Sequence, residues 1–456
     1  MWSWFSSKKA DGIPQPHGVL FNPFLTIAEK CVSTLIMHLM SFDALSQTEV
    51  GSKQSEEDLS KLRNAIHDAE YGKDTQSFIA EWSKATSPPE SPDLCVVAES
   101  SGSIPFQKDI LQEWNIVDKH AVLSDAIVAA ANNREGVKVI VRFPSSLLPA
   151  ELQEKGTVLD YSGCLEVDFD KVDWRSFAPG VPILVHFHGG GMIAGVAHTG
   201  VLYKEAVKLT QNAPTSSPPN LITISVDYGL APEDPFPLGV MDALSVVDYL
   251  LKDNDSRKTI HVTGTSAGAN LSLVTGLEGY RRFPGRISSI QAQCPMLNPA
   301  GDTMSYYTNQ YVFPSADWLR WSWRAYLGLE TPNERMHDKG NETPLEKVLR
   351  QNSNHKSWKR WMADQPCKAM HRLVNPLLAI PEGLNGDESE DAPTIILRYN
   401  KGDPLYNDTT DFLDALQQKT GGNAKPYEQM GIHSDIVDMH SRDDFWKAWS
   451  AAIFGF

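Results

Sequence analysis

The amino-acid sequence predicts a fold of the α/β class, in which a mostly parallel sheet of about eight strands has helices on both faces. Two observations lead to this prediction. From about residue 137 onward, short apolar runs bounded by turn residues alternate with segments of helical periodicity, an order typical of parallel sheets. Hydrophobic residues make up 41% of the 456 positions, which is enough to fill a large core.

The strands and helices that this alternation predicts can be placed along the chain. The predicted strands cover residues 137–143, 164–170, 182–187, 221–228, 259–263, 287–294, 394–399 and 426–432. The predicted helices between them cover residues 200–210, 239–253, 269–282 and 409–418. The sheet core is therefore expected in two parts, residues 136–297 and residues 373–456.

Two segments do not follow the alternation. Residues 1–135 combine a helical spacing of apolar residues at 21–42 with a proline-rich loop composition at 85–93, which predicts a helical N-terminal region. Residues 298–372 separate two sheet strands and contain the tryptophan-rich run 317–326, and an excursion of this length predicts a lid. The tryptophans either only pack beneath the lid or also line a substrate site, and both interpretations stay open.

Charge and cysteine content argue against several kinds of partner and site. The net charge is −16 and no block of Lys and Arg stands out, so a nucleic-acid partner is not expected. No cysteine pair has the CxxC spacing, so we expect neither a disulfide framework nor a zinc site. We expect the protein to reside in a reducing compartment. The five cysteines are Cys31, Cys95, Cys164, Cys294 and Cys367.

The N-terminal residues lack the basic stretch, apolar core and small-residue cleavage site of a secretory signal. No run of the sequence reaches the roughly 18 apolar residues that a membrane-spanning helix needs. We therefore expect a soluble, cytoplasmic protein.

The pentapeptide Gly-Thr-Ser-Ala-Gly at 264–268 has the spacing of a nucleophile turn. It follows one predicted strand and precedes a predicted helix, which is the context this motif requires. A strained turn would lift the hydroxyl of Ser266 into the open, while the flanking glycines avoid collisions with the neighbouring strand and helix. The alternative is an ordinary tight turn at the end of a strand, and the motif alone does not distinguish the two.

Three consecutive glycines follow His188, directly after the predicted strand 182–187. A loop without side chains can present backbone N–H groups to the negative oxygen of a tetrahedral intermediate, where one donor contributes about 3–4 kcal/mol. We predict that the N–H groups of Gly190, Gly191 and Ala267 form this oxyanion hole. A flexible glycine turn is the alternative.

His186 and His188 lie two positions apart and could share one face of a strand, as metal ligands sometimes do. No further Cys, His or carboxylate cluster in the sequence completes such a site, so no metal is expected.

A serine hydroxyl needs a base to take its proton and a carboxylate to orient that base. Asp403 and His433 each come directly after a predicted strand, downstream of Ser266 and in the order that this kind of site requires. Catalytic groups in parallel sheets gather at the carboxyl ends of the strands. Asp408 is an alternative acid, although it is expected to start a helix, and His440 is an alternative base.

Taken together, these motifs resemble the hormone-sensitive-lipase-like family of α/β-hydrolases over about residues 175–450. The matching segments occur in the family's order and are 188–191, 227–233, 264–268 with Asn270, 375–378, 403–405 and His433, while 326–328 resembles the end of a lid helix. The resemblance implies the α/β-hydrolase fold and esterase or lipase activity on carboxylic esters without a cofactor. It also implies a helical lid built from the N-terminal region and the insertion at 298–372.

The sequence departs from the family pattern at several positions. Gly229 stands where the family usually has a structural arginine, and Met192 stands where an aromatic residue usually follows the glycines. Ser434 and Asp435 replace the usual Gly-Phe after the base, and the Asp435 charge would raise the pKa of His433. The long N-terminal region either enlarges the lid or touches a membrane or lipid surface through residues 21–42.

The sequence thus predicts a serine hydrolase that acts on short- to medium-chain or other hydrophobic esters, with a small-molecule ester as its partner. A non-hydrolytic receptor that binds a ligand under the lid is the alternative from another class, but the relatives of that kind lose the histidine. An amidase or lactonase with the same triad is the third alternative.

Overall fold

The computed structural model describes residues 33, 42–71, 97–117, 124–144, 147, 157–158, 165–166, 180–197, 209–213, 220–252, 259–329, 353–365, 367, 369–381, 384, 391–420, 424–433 and 443–455. Its strands are β1 (Val97–Pro105), β2 (Gly136–Pro144), β3 (Thr157–Val158), β4 (Leu165–Glu166), β5 (Ile183–Phe187), β6 (Ile222–Asp227), β7 (Ile260–Thr265), β8 (Ile287–Gln293), β9 (Thr394–Asn400) and β10 (Ala424–Gln429).

The helices of the described residues surround this sheet. They are α1 (Phe42–Ser46), α2 (Lys53–Tyr71), α3 (Ile110–Glu113), α4 (Asp125–Asn132), α5 (Leu238–Leu251), α6 (Ala267–Arg282), α7 (Met304–Thr308), α8 (Ala316–Leu327), α9 (Ser353–Asp364), α10 (Ala369–Val374), a 3₁₀ turn (Pro376–Leu378), α11 (Tyr406–Thr420) and α12 (Asp443–Phe454). None of them is long and apolar enough to cross a membrane.

The strands form one sheet in the order β10-β9-β8-β7-β5-β6-β2-β1-β4-β3. The six strands from β10 to β6 run parallel, whereas β2 pairs antiparallel with both β6 and β1. Within the described residues, eight strands have five or more residues. Strands β3 and β4, of two residues each, lie at one edge of the sheet. The predicted α/β class with a mostly parallel sheet is confirmed.

Alternate residues of the central strands belong to two separate apolar clusters. Ile183 and Val185 lie in the larger cluster, whereas Leu184 between them packs with the aromatic residues of α12. Because successive side chains of a strand point to opposite faces, the two clusters lie on opposite faces of the sheet. Helices α5 and α6 supply residues to the larger cluster and α12 to the smaller, so helices cover both faces.

One part of the predicted organisation is wrong. Residues 1–135 were expected to be helical, but β1 is a sheet strand that pairs along its whole length with β2. Its sequence, Val-Ala-Glu-Ser-Ser-Gly-Ser-Ile-Pro, has no alternation of apolar and polar residues, so the pattern predicts no strand. The strand is defined by its backbone pairing with β2.

The last strand is also displaced from its prediction. The sequence predicts a strand at residues 426–432, whereas β10 begins at Ala424 and ends at Gln429. Pro426 is tolerated there because β10 lies at the edge of the sheet, where a missing N–H costs no ladder bond on the open side. Beyond Gln429 the chain turns at Gly431, whose φ is 114°. The predicted strand 164–170 and helix 200–210 lie mostly outside the described residues.

The N-terminal helices lie against the insertion. Leu45 of α1 and Leu62 of α2 are buried, and the indole Nε1 of Trp321 on α8 donates to the carbonyl oxygen of Thr48 at 3.0 Å. Helix α8 ends as its sequence predicts, with Gly328 in the left-handed region at φ 64°. Helices α1, α2 and α8 therefore form one cap; the predicted helix at 21–42 lies outside the described residues except at Ser33 and Phe42.

Candidate active site

Ser266 occupies a strained turn between β7 and α6. Its backbone has φ 59° and ψ −116°, a combination that non-glycine residues rarely adopt. The turn is fixed on both sides, because the Ser266 N–H donates to Gln293 O at 2.8 Å and its carbonyl accepts from Met296 N at 3.1 Å. The predicted strand–turn–helix geometry is present, and it is held by the loop that follows β8.

The two glycines of the pentapeptide are required by close approach of the backbone. A Cβ at Gly268 would lie 1.9 Å from the carbonyl oxygen of Phe187, and a Cβ at Gly264 would lie 2.2 Å from Gly268 O. Both contacts are with main-chain atoms, which cannot rotate away. Only glycine therefore lets α6 start this close to β5.

Asp403 and His433 are hydrogen-bonded to each other. The Nδ1 atom of His433 lies 2.6 Å from Oδ2 of Asp403, and both side chains are buried. The second carboxylate oxygen, Oδ1, accepts the N–H of Leu405 at 2.9 Å. An ionised carboxylate only accepts, so this bond places the imidazole proton on Nδ1 and leaves Nε2 as the basic atom.

Backbone hydrogen bonds join the loop of Asp403 to the loop of His433. Lys401 N donates to Gln429 O at 2.9 Å, and Gly402 N donates to Gly431 O at 3.0 Å. The side-chain amide of Asn309, just after α7, donates to the carbonyl oxygen of Asp403 at 2.9 Å. The acid loop is thus bound both by Asn309 of the insertion and by the chain at the end of β10.

The alternative acid, Asp408, has a different role in the structure. Its Oδ2 accepts the N–H groups of Leu297 and Asn298 at 2.9 and 3.0 Å, which fixes the chain after β8. Burial raises the pKa of Asp408 well above its usual value, against the effect of these two hydrogen bonds. Asp403, not Asp408, contacts the histidine. His440, like Ser434 and Asp435, lies outside the described residues.

The glycine loop lies beside Ser266. A Cβ at Gly189 would be 3.5 Å from the Cβ of Ser266, and Gly190 has φ 116°, which favours glycine. The carbonyl oxygen of Gly190 accepts the N–H groups of Ile193 and Ala194 at 3.1 and 3.0 Å, so the loop is a tight turn. Its backbone is therefore rigidly placed next to the serine.

Cap helix α8 contacts the same loop. A Cβ at Gly191 would lie 2.6 Å from the indole Cη2 of Trp318 and 2.7 Å from Oγ of Ser322. Trp318, Trp321 and Trp323 are all buried, which agrees with a packing role for the tryptophan cluster. Trp318 differs from the other two in that it also touches a loop beside the serine.

The two histidines considered as metal ligands have separate partners. Nδ1 of His186 lies 3.1 Å from Oγ of Ser225, and burial lowers the pKa of His186 to about 3. The ring of His188 stacks on Tyr228 at 4.3 Å, and its Nδ1 donates to Gly189 O at 2.7 Å. His188 therefore shapes the glycine loop.

Sequence reasoning missed two side chains near this site. The thiol of Cys294, directly after β8, lies within 4.8 Å of ligand atoms of both Asp403 and His433. Its position at the end of a predicted strand was visible in the sequence, but a single cysteine there carries no motif. Asn309 lies in the insertion, where no periodic pattern indicates its contact with the acid loop.

Arg134 explains the glycine at 229. Nη2 of Arg134 donates to Oδ2 of Asp242 at 2.8 Å, and the N–H of Gly229 donates to the same oxygen at 2.7 Å. A Cβ at Gly229 would lie 2.6 Å from Nη1 of Arg134. A guanidinium from the segment before β2 thus fills the space beside residue 229, and a side chain there would collide with it.

A model of the α/β-hydrolase fold matches residues 184–341, a segment that includes the glycine loop and Ser266. Carboxylesterase NlhH of Mycobacterium tuberculosis is 30% identical over 166 residues, which are 34% of this chain and 48% of that protein. Hormone-sensitive lipase of Homo sapiens is 31% identical over 126 residues, 26% of this chain and 11% of the lipase. These matches support the resemblance to the hormone-sensitive-lipase-like family of α/β-hydrolases that the motifs indicate.

The same fold is found in solved structures of esterases. An esterase of the archaeon Pyrobaculum calidifontis superposes with a TM-score of 0.52 at 16% identity, covering 93% of this chain and 97% of that one. A brefeldin A esterase, described as a bacterial homologue of human hormone-sensitive lipase, superposes with a TM-score of 0.50 at 18% identity. The superposition covers 96% of this chain and 94% of that one. At such identities the likeness concerns the fold. In sequence, this α/β-hydrolase spans less than half the length of the curated relatives named above.

Proposed function

We propose that this protein is a serine carboxylic ester hydrolase that works through an acyl-enzyme intermediate. The observation that carries the proposal is the 2.6 Å contact between His433 Nδ1 and Asp403 Oδ2, at the sheet edge where Ser266 occupies its strained turn. Strands β7, β9 and β10 end there, and each is followed by one of the three residues. The names of the relatives, several of them carboxylesterases, support the ester as the bond attacked.

In the proposed reaction, Nε2 of His433 takes the hydroxyl proton of Ser266 while Oγ bonds to the ester carbonyl carbon. The electron pair of the carbonyl π bond moves to oxygen and forms an oxyanion. When this pair returns, the bond to the alcohol oxygen breaks and the alcohol leaves with the proton from His433. Water then attacks the acyl-enzyme by the same route and releases the acid and Ser266.

The oxyanion hole assigned to this reaction consists of the N–H groups of Gly190, Gly191 and Ala267. Gly190 and Gly191 lie in the tight turn beside Ser266, and Ala267 is the first residue of α6, where the helix dipole favours negative charge. Donors fixed before the reaction stabilise the oxyanion without reorganisation, and one such donor is worth about 10²–10³ in kcat.

We infer that the substrates are short- to medium-chain or other hydrophobic esters. Trp318 and Met192 are buried apolar side chains next to the glycine loop, and the ring of Phe313 lies 6.3 Å from that of His433. These groups favour apolar substituents on either side of the ester. No residue of this arrangement requires a cofactor.

The test is hydrolysis of p-nitrophenyl esters from acetyl to palmitoyl by the wild-type protein and by Ser266→Ala. We expect wild-type turnover with a maximum at short to medium chains and no turnover above background by the variant. Matched anilide substrates extend the test to amide bonds. Faster anilide than ester turnover would replace the esterase assignment by an amidase.

A further inference from the structure

Arg63, on the N-terminal helix α2, binds two loops that lie next to the glycine turn. Its Nε donates to the carbonyl oxygen of Ile193 at 2.8 Å, and its Nη2 donates to the carbonyl oxygen of Ala231 at 2.9 Å. Both terminal nitrogens also donate to the carboxylate of Glu233 at 2.8 Å. One planar guanidinium thus serves three acceptors at once, a geometry that suits Arg and not Lys.

The contact with Ile193 reaches the proposed oxyanion hole through a short, stiff connection. Ile193 N donates to Gly190 O at 3.1 Å, so the carbonyl that Arg63 binds and the glycine that presents its N–H belong to one turn. The second loop is joined to the same turn, because Ala231 N donates to Met192 O at 2.8 Å. A displacement of either loop would therefore move the backbone of Gly190 and Gly191.

Glu233 holds the guanidinium in this orientation. Burial favours a raised pKa for this carboxyl, but the hydrogen bonds and charge of Arg63 outweigh it, and the pKa of Glu233 is lowered. The carboxylate side chain is 61% exposed, so the ion pair itself adds little to folding stability. The ion pair instead fixes the orientation of the Arg63 guanidinium.

We propose that Arg63, on the N-terminal helix α2, is a positioning residue for the oxyanion hole. This inference rests on the proposed function. Arg63 does not touch the substrate; it acts through Ile193 and Ala231. Its effect should appear in the transition state, because misplacing catalytic groups by about 1 Å can cost 10²-fold in rate.

The first test compares Arg63→Met with Lys61→Met in the full chain. Lys61 lies on the same helix, its side chain is 63% exposed and it pairs with the neighbouring Asp58, so its variant controls for loss of one positive charge. For Arg63→Met we expect kcat to fall about 10- to 100-fold while KM stays within about threefold. Lys61→Met should have the kinetics of the wild type.

A second measurement distinguishes a displaced oxyanion hole from a general loss of folded structure. With a trifluoromethyl ketone, Ser266 Oγ bonds to the carbonyl carbon, the π-bond pair moves to oxygen and the hydroxyl proton goes to His433, which leaves an oxyanion in the hole. The inhibition constant of this ketone for Arg63→Met should rise by the same factor by which kcat/KM falls. Circular dichroism and the melting temperature report whether the variant is folded.

Conservative variants keep the proposal testable if Arg63→Met folds poorly. Arg63→Lys retains the charge but cannot serve Ile193, Ala231 and Glu233 together, so it should show a partial loss of kcat. Glu233→Gln keeps an acceptor and should lose less than Arg63→Lys. A folded Arg63→Lys with wild-type kcat and wild-type ketone affinity would overturn the inference.

The outcomes also distinguish this inference from the proposed function. A wild-type protein that neither hydrolyses esters nor binds the ketone would overturn both. A wild-type protein that is active, together with an equally active and folded Arg63→Met, would overturn the positioning role alone. Parallel losses in kcat/KM and ketone affinity at unchanged KM are the expected result.

Discussion

His433 Nδ1 and Asp403 Oδ2 lie 2.6 Å apart, and hydrogen bonds between their two loops hold them there. The acid loop is bound by Asn309 of the insertion, and the base loop is bound to β9 by the Asn400 side chain, which donates to Ile432 O. The pair is therefore prearranged, with its basic nitrogen already set. This arrangement makes the role of each carboxylate testable.

Asp403→Asn should lower kcat by about 10⁴-fold with little change in KM, because an amide can donate to Nδ1 and stabilise the wrong tautomer. Asp408→Asn is the matched control. Its amide oxygen can still accept from Leu297 and Asn298, so activity should remain within about threefold of the wild type. Steady-state kinetics on one p-nitrophenyl ester measure kcat and KM of the two variants. The reverse result, with only Asp408→Asn inactive, would make Asp408 the acid.

Gly268→Ala should prevent correct closure of the turn at Ser266. The added methyl would lie 1.9 Å from Phe187 O, a backbone atom, so we expect a loss of more than about 3 kcal/mol in unfolding free energy and loss of activity. Gly51→Ala is the control, because Gly51 has a positive φ of 80° but no atom within 4 Å of the added carbon, so it reports backbone strain without a steric clash. It should cost only about 1 kcal/mol in urea unfolding. Equal costs for the two variants would refute the steric account.

Arg134 and Gly229 should behave as a coupled pair. Arg134→Ala leaves the buried Asp242 without its cation and should lower the unfolding free energy by about 3 kcal/mol. Gly229→Arg alone should also destabilise the protein, because its side chain collides with Arg134. The double variant removes that collision and returns a guanidinium to Asp242, so a double-mutant cycle should show recovery. Additive losses would mean that the two positions do not share one space.

The pH dependence of stability should carry the signature of Asp242. Burial raises its pKa from 3.8 to about 7, against the lowering effects of Arg134 and the Gly229 N–H. Between these two values the folded state binds more protons than the unfolded state, so this group makes stability fall as pH rises, by about 1.4 kcal/mol per unit of pKa difference at most. In urea unfolding at pH 4.5 and pH 7.5, Asp242→Asn should remove part of that fall. An unchanged pH profile would contradict the raised pKa.

The motifs predict which residues lie at this end of the sheet better than they predict the structure around them. Ser266, Asp403 and His433 were predicted because each follows a strand, and the carboxyl ends of parallel strands meet at one edge of a sheet. The strand β1 was missed because its serine- and glycine-rich sequence carries no period. Arg63 and Arg134 were missed because their partners are distant in sequence, and only the folded chain brings them to Glu233 and Asp242.

The most direct test of the central claim is covalent labelling of the wild-type protein and of Ser266→Ala with a fluorophosphonate, followed by peptide mass spectrometry. We expect one phosphonylated residue in the wild type, Ser266, with loss of ester hydrolysis in proportion to labelling. We expect no labelling of the variant. Absence of label on Ser266 in a folded, ester-binding protein, or an equally labelled Ser266→Ala, would contradict the account.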